Sequence, residues 1–367
     1  MAKQTRLWVT IVIIILVVIA VLLILFAQSP TGRTLKVGVL TPLAGPAAPY
    51  GENILAGVEC AKEAINDAGG INGRLIELVV ETSDCNGAKA VTAATKLVDV
   101  DGVIGIVGQA CSAATIPVAA LTEDKKFVLI ASAASNPAVT ESPYVFRVNP
   151  NDLAQSQGIS DYLIEQSVNS IAILALNDEY GAGLIEEFEK RFIEKGGEVV
   201  ATELFSVDAT DYRTQITKLE EAEFETLFII ANPTQHPQIA KQLEELGKDW
   251  DRIAEFNFGV TPAESTNEAM DGTVYPTSSF DAAANANART LDICMQAQGK
   301  QADIVTAWGS DALDVFAEAA KKCSTISGDC VKDNLVGLQF DGASGSNRFT
   351  AQGEIEQPPF EFVVFEQ

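Results

Sequence analysis

Histidine is almost missing from this chain. One residue in 367, His236, carries an imidazole. A Ser/His/Asp triad needs that ring beside a nucleophile, and His236 stands alone in the loop P-T-Q-H-P, where it reads as a surface loop residue; a ligand contact facing a cleft is the minority alternative. Basic residues are also scarce: 25 Lys and Arg stand against 50 Asp and Glu, for a formal net charge of −25 and a pI near 4.3. Nucleic acid and anionic lipid reward basic surfaces, so neither is expected as a partner. The acidic excess itself reads as a soluble surface, and the run Glu186-Glu187-Glu189 as a solvated helix face beside Lys190 and Arg191. No G-K-[ST] follows the glycines of G-V-I-G-I-V-G at 102–108, so a Walker A loop is excluded and a strand in a tight sheet explains them better. No metal-ligand spacing is present. An enzyme is therefore not expected, and neither is a cofactor.

Charge is absent altogether from residues 7–27, an apolar run behind Lys3 and Arg6. At about 1.5 Å per residue it reaches roughly 31 Å, the thickness of a bilayer core. The basic residues orient a short N-terminus (1–6) inside and the rest of the chain outside. A cleaved signal peptide competes with this reading. However, its apolar region would exceed the usual ~7–15 residues, and Leu25 occupies a place where a small residue is expected. No cysteine follows, so a lipobox is absent as well. The expectation is an uncleaved anchor over 7–27, followed by a polar tether over 28–34.

Beyond the tether, strand and helix patterns alternate. Strands are expected over 36–40, 75–81, 103–107 and 128–131, and helices over 53–68 and 88–98. After a polar crossing at 147–151 a second series follows, with helices over 152–166, 184–195, 212–222 and 238–246 and strands over 170–174, 198–204 and 226–230. Long helices close the chain around 291–298 and 306–321, ahead of the alternating strand F-E-F-V-V-F-E-Q. This is the pattern of an α/β fold with two Rossmann-like lobes, each a parallel sheet, joined by a hinge of several crossings. The expected division is 35–151 with 280–358 for the N-terminal lobe, and 152–279 with 359–367 for the C-terminal lobe.

The segment 80–137 is the most informative. Its strands run straight into small polar turns, at Cys111-Ser112 and at 132–136, and helical patterns are expected after both. Small residues let a ligand approach backbone amides, and the hydroxyls of Ser112 and Ser135 add donors at helix N-termini. That arrangement suits a carboxylate. The six cysteines lie outside the membrane and are disulfide candidates. The turns of Cys85 and Cys111 can be neighbours at one sheet edge, and Cys323 and Cys330 close a small loop. Cys60 and Cys294 sit in helical patterns, either as buried thiols or as a third bridge.

The residues K-V-G-V-L-T-P-L-A-G-P-A-A-P-Y-G, G-V-E-C-A-K-E-A-I-N-D-A-G-G-I-N-G-R, D-C-N-G-A-K-A, I-G-I-V-G-Q-A-C-S, A-A-S-N-P and N-D-E-Y-G-A-G-L occur in that order. Over 36–365 the chain resembles the type I periplasmic binding proteins that feed ABC importers, and among them the Leu/Ile/Val receptor family. The resemblance implies a Cys85–Cys111 disulfide. It implies aromatic walls at Tyr50 and Tyr180, a carboxylate-binding turn at Ala110 and Ser112, and a second such turn at Ala133 and Ser135, where the family often has Thr. The family's acidic partner for the ligand ammonium falls in I-A-E-F-N-F-G-V, on Glu255 by counting from Asp271 or on Phe258 by the local G-V, and Glu255 is the residue expected to hold it. If Phe258 holds the place, an amide, urea-like or carboxylate ligand is implied instead. The loop 232–235 matches the side-chain-facing loop of the second lobe but is a residue shorter and has no Tyr. The implied function is an extracytoplasmic, membrane-anchored, monomeric receptor that closes on a small apolar amino acid and hands it to ABC permease subunits. A sensor ectodomain using the same cleft is the alternative.

Overall fold

The computed structural model describes residues 34–356 and 360–367, so the expected anchor over 7–27 lies outside the described residues. Among the described residues, no helix is long and apolar enough to cross a membrane.

Five strands form the first sheet: β1 (Leu35–Thr41), β2 (Ile76–Thr82), β3 (Gly105–Gln109), β4 (Val128–Ala131) and β5 (Val145–Arg147). Their order is β2-β1-β3-β4-β5, and every pairing is parallel. The strands β3, β4 and β5 are buried along their full lengths, as expected when helices cover both faces. Those helices are α1 (Ala48–Asp67), α2 (Gly87–Thr95), α3 (Ser112–Ala119) and the single turn α4 (Thr122–Lys125).

The second sheet takes β6 (Ser170–Leu176), β7 (Glu198–Phe205), β8 (Thr226–Ile230), β9 (Asp251–Ala254), β10 (Val274–Thr277) and β13 (Glu361–Val364), in the order β13-β10-β9-β8-β6-β7. Only β13 runs antiparallel, pairing Val364 with Val274. Four helices cover this sheet: α5 (Asp152–Glu165), α6 (Glu179–Glu194), α7 (Arg213–Leu219) and α8 (His236–Glu245). Phe188, Phe192 and Phe228 stack in its core. After β10 the chain returns to the first sheet with α9 (Ala286–Ala297), α10 (Ile304–Lys321) and α11 (Gly328–Leu335), then the hairpin β11 (Gln339–Gly342) and β12 (Gly345–Arg348), before crossing back to β13. Helix α10 presses against α1 backbone to backbone. A Cβ on Gly57 would stand 1.9 Å from the Thr306 carbonyl oxygen, and one on Gly309 2.2 Å from that of Ile54.

Local chemistry moved several expected boundaries. Helix α1 begins at Ala48, well before 53, because Pro49 is tolerated in a first turn where no N–H partner is needed. Helix α6 begins at Glu179 rather than 184, because the Asp178 carboxylate accepts from Gly181 N–H at 2.9 Å and caps it. Helix α2 ends early and continues as a wide π turn, Lys96–Val100. The turn at 132–136 leads only into a 3-10 turn, Pro137–Thr140, not a helix; Pro143 follows closely and disfavours helical backbone before it. Three disulfides form: Cys85–Cys111, Cys323–Cys330 and Cys60–Cys294, the last tying α1 to α9.

Candidate functional site

The carboxyl ends of the two sheets face each other across two adjoining compartments of about 420 and 310 Å³, counting space open to solvent. Tyr50, Ala133, Ser135, Tyr180 and Asn257 belong to the walls of both. The first-sheet side supplies Tyr50 from the first turn of α1, Ala110 and Ser112 at the start of α3, and Ala133 and Ser135 after β4. Opposite stand Asp178 and Tyr180 at the start of α6, Asn232 after β8 and Asn257 after β9. The smaller compartment is ring-lined, by Tyr50, Tyr180, Phe256, Trp308 and Phe360, with Gln155 and Asn149 as further polar groups.

Several hydrogen bonds hold the first-sheet turns in register. The Asn136 N–H donates to Ser112 Oγ at 3.2 Å, joining the two turns. Beneath them Arg147, with no exposed side-chain surface, donates to the carbonyls of Ala134 at 3.0 Å and Asn136 at 2.9 Å, and pairs with Glu354 at 2.9 Å. The Asp152 N–H donates to the Ser135 carbonyl at 2.9 Å. Burial pushes the Asp152 carboxyl up to about 7, against the pull of Ser135 and Arg147. At the rim, Asn136 Nδ2 donates to the Glu179 carbonyl at 2.7 Å and Thr234 Oγ1 to that of Pro46 at 3.2 Å, so bonds cross the cleft at both edges.

Six of the seven residues singled out as ligand contacts therefore lie on one cavity: Tyr50, Ala110, Ser112, Ala133, Ser135 and Tyr180. Glu255 does not stand among the wall residues. It is fully buried behind Tyr180, and its oxygens accept from Tyr180 Oη at 2.9 Å, the Ala231 N–H at 3.2 Å, the Asn257 N–H, and His236 Nε2 at 2.9 Å. Phe258 lies in a separate core with His236, Tyr275 and Phe365. His236 is no surface loop residue. It opens α8, where Pro237 suits a first helical turn, is buried, and lies 2.9 Å from Glu255 Oε1 through Nε2. Glu187 is only half-exposed, so the acidic run on α6 is not wholly solvated. Asn257 and Asp178 were not foreseen; both sit just past the carboxyl ends of strands, which is where α/β sheets bind ligands. Trp308 had no such signal, since it reaches the cavity from the long helix α10.

Burial raises the phenols of Tyr50 and Tyr180 well above their ordinary value, and the charge of Glu255 adds to both. The tyrosines thus stay neutral hydrogen-bonding groups. Among the described residues no group of His, Cys, Asp and Glu could hold a metal ion.

Two α/β layers that close on a cavity from their carboxyl edges are the architecture of a binding protein. The family model for periplasmic binding proteins matches residues 34–364, and the chain belongs to that family, with its type I fold. Across 348 residues it is 27% identical to the leucine-, isoleucine-, valine-, threonine- and alanine-binding protein of Pseudomonas aeruginosa, covering 93% of this chain and 91% of that one. Its fold matches that of the branched-chain amino acid transporter substrate-binding protein from Streptococcus pneumoniae, crystallised with isoleucine, at a TM-score of 0.79 and 24% identity over 90% of this chain and 99% of that one. A solute-binding protein from R. palustris in complex with 4-hydroxybenzoate matches at 0.80 with 16% identity over 91% and 93%. The family is one of substrate-binding proteins, not enzymes, and its members work outside the cytoplasm.

Proposed function

We propose that this chain is the substrate-binding protein of an ABC importer and that it takes a small apolar amino acid, branched-chain in the first instance. The cavity is the observation that carries this reading. One wall offers the Ser112 hydroxyl and the backbone around Ser112 and Ser135, suited to a carboxylate at the start of α3. The other wall offers oxygens suited to an amine, and rings at the back suit an apolar side chain. Micromolar binding, about −8 kcal/mol, is within reach of a ligand of some nine heavy atoms at about 1 kcal/mol per atom. The relatives that bind leucine, isoleucine and valine support the same assignment.

In this reading the two sheets mark two lobes, 35–151 with 280–358 and 152–279 with 359–367, which close on the ligand about the crossings between them. The bonds Asn136–Glu179 and Thr234–Pro46 are then latches of the closed form. Residues 7–27 anchor a monomer to the outer face of the membrane beside its permease. A second reading, an acid without an amine, is favoured by one observation: Asn257 stands at the wall where Glu255, the acidic residue expected for an ammonium, stays behind it. A melting screen of the full-length protein against amino acids, amides, benzoates and short carboxylates tests both. A ligand that binds only the folded state raises Tm. Stabilisation by branched-chain amino acids supports the first reading, and stabilisation by acids alone replaces it with the second.

A further inference from the structure

The second wall of the cavity poses a chemical problem, because its own carboxylate, Asp178, is engaged in capping α6 through the Gly181 N–H, and the one behind it, Glu255, is spent internally. Glu255 already accepts four hydrogen bonds, two at each oxygen. Two come from backbone N–H groups, which can only donate, so both oxygens are fixed as acceptors. As the carboxylate whose charge acts on Tyr50 and Tyr180, Glu255 has no hydrogen to give, so His236 Nε2 carries the one between them. The same reasoning fixes Tyr180. Its hydroxyl hydrogen is committed to Glu255 Oε2 at 2.9 Å, which leaves only lone pairs of the phenol for the cavity. Asn257 is oriented too: its Nδ2 donates to the Ala231 carbonyl at 2.9 Å, which sets the amide's direction and leaves its oxygen, beside the second N–H, at the wall.

We propose that the ligand's amino group is received by two neutral oxygens, Tyr180 Oη and Asn257 Oδ1, with Glu255 acting from behind as a positioning residue that His236 holds in place. The assignment rests on the amino-acid reading above and deepens it. An ammonium bonded to Tyr180 would stand about two hydrogen-bond lengths, under ~6 Å, from Glu255 Oε2. At that range in a dry site the carboxylate still offsets much of the cost of burying a cation. Its field does cross the cavity, since Glu255 contributes to raising the phenol of Tyr50 on the opposite wall. The arrangement also selects. A ligand that lacks the amine leaves two acceptors without donors and meets the negative field of Glu255 uncompensated. The relay therefore distinguishes an amino acid from the acid of the same shape.

The test compares matched pairs by calorimetry on the full-length protein in mild detergent: leucine against isocaproate, and valine against isovalerate. Wild type is expected to prefer the amino acid in each pair. Tyr180→Phe keeps the ring and removes the relayed oxygen. It should weaken the preferred amino acid by roughly ten- to a hundredfold while changing the matched acid by less than about threefold. Asn257→Ala should lower the same ratio and serves as the second variant should Tyr180→Phe melt early. Equal losses for amino acid and acid would mean a merely structural role and overturn the proposal, as would an unchanged preference in both variants. If wild type binds the acids and no amino acid, the amino-acid reading falls and takes this proposal with it. If it binds the amino acid and the variants keep its preference, this proposal falls alone.

Discussion

Replacing Glu354 by alanine should unsettle the ligand-facing turn from below. Glu354 comes from the last crossing between the sheets, yet its carboxylate sits 2.9 Å from Arg147, whose side chain has no exposed surface. It also accepts from Thr140 Oγ1 and, at 3.2 Å, from Asn151 Nδ2. Removing one partner of a buried pair strands the other charge, which typically costs ~3–5 kcal/mol. Arg147 would keep the carbonyls of Ala134 and Asn136 and the nearby charge of Asp152, so the lower end, about 3 kcal/mol, applies. With an unfolding entropy of ~2 cal/mol/K per residue over 367 residues, 1 kcal/mol moves Tm by about 1.3 °C, so the expected loss is about 4 °C. Melting followed by intrinsic fluorescence reads it directly. Glu354→Gln, which keeps the shape and an acceptor but not the charge, should lose about half as much. Pairing Glu354→Ala with Arg147→Met should recover most of the loss, because no charge is then stranded. A fall of less than 1 °C for Glu354→Ala, or a double variant no better than the single, would refute the reasoning.

Three further outcomes are expected. The folded Asp152 carboxyl titrates near 7, against 3.8 when unperturbed, so its penalty is absent while both states are protonated below about pH 4 and grows as pH rises to 7; Asp152→Asn should therefore be more stable than wild type at pH 8, by up to about 4 kcal/mol, and no better at pH 4, and an equal difference at both would exclude titration as the cause. Gly57→Ala should cost roughly 1–3 kcal/mol or more, because its Cβ meets a carbonyl oxygen rather than a yielding side chain; a wild-type Tm would show that α1 and α10 do not touch as described. Non-reducing peptide mapping should recover Cys60–Cys294, Cys85–Cys111 and Cys323–Cys330, and the serine variant of the first pair, whose ends lie 234 residues apart, should lose the most stability, about 5 kcal/mol on the chain-entropy argument; free thiols at Cys60 and Cys294 would contradict the pairing.

The parallel sheets were legible because β4 is apolar throughout and β3 and β8 are apolar but for Gln109 and Thr226 at their ends, a pattern that leaves few alternatives once turn residues bound it. The first-sheet half of the cavity was legible for the same reason: Ala110, Ser112, Ala133 and Ser135 each follow such a strand directly. Helix starts were less so, because Pro49 and Asp178 act through single caps or first-turn tolerance that hydrophobic periodicity does not register. The opposite wall was hardest. Between β9 and β10 the chain makes three short 3-10 turns, and no period of 2 or 3.6 tells which of Glu255, Phe256, Asn257 or Phe258 points outward. That choice is made by contacts distant in sequence: His236 and Tyr180 hold Glu255 in, and Tyr275 and Phe365 hold Phe258 in. Phe256 and Asn257 are left to face the cavity.

Titration calorimetry of the full-length protein with leucine, isoleucine and valine bears most directly on the account. One-to-one binding in the micromolar range, with the ligand recovered unchanged, is the predicted result. No heat from any amino acid, while a carboxylate lacking the amine titrates the same cavity, would contradict it.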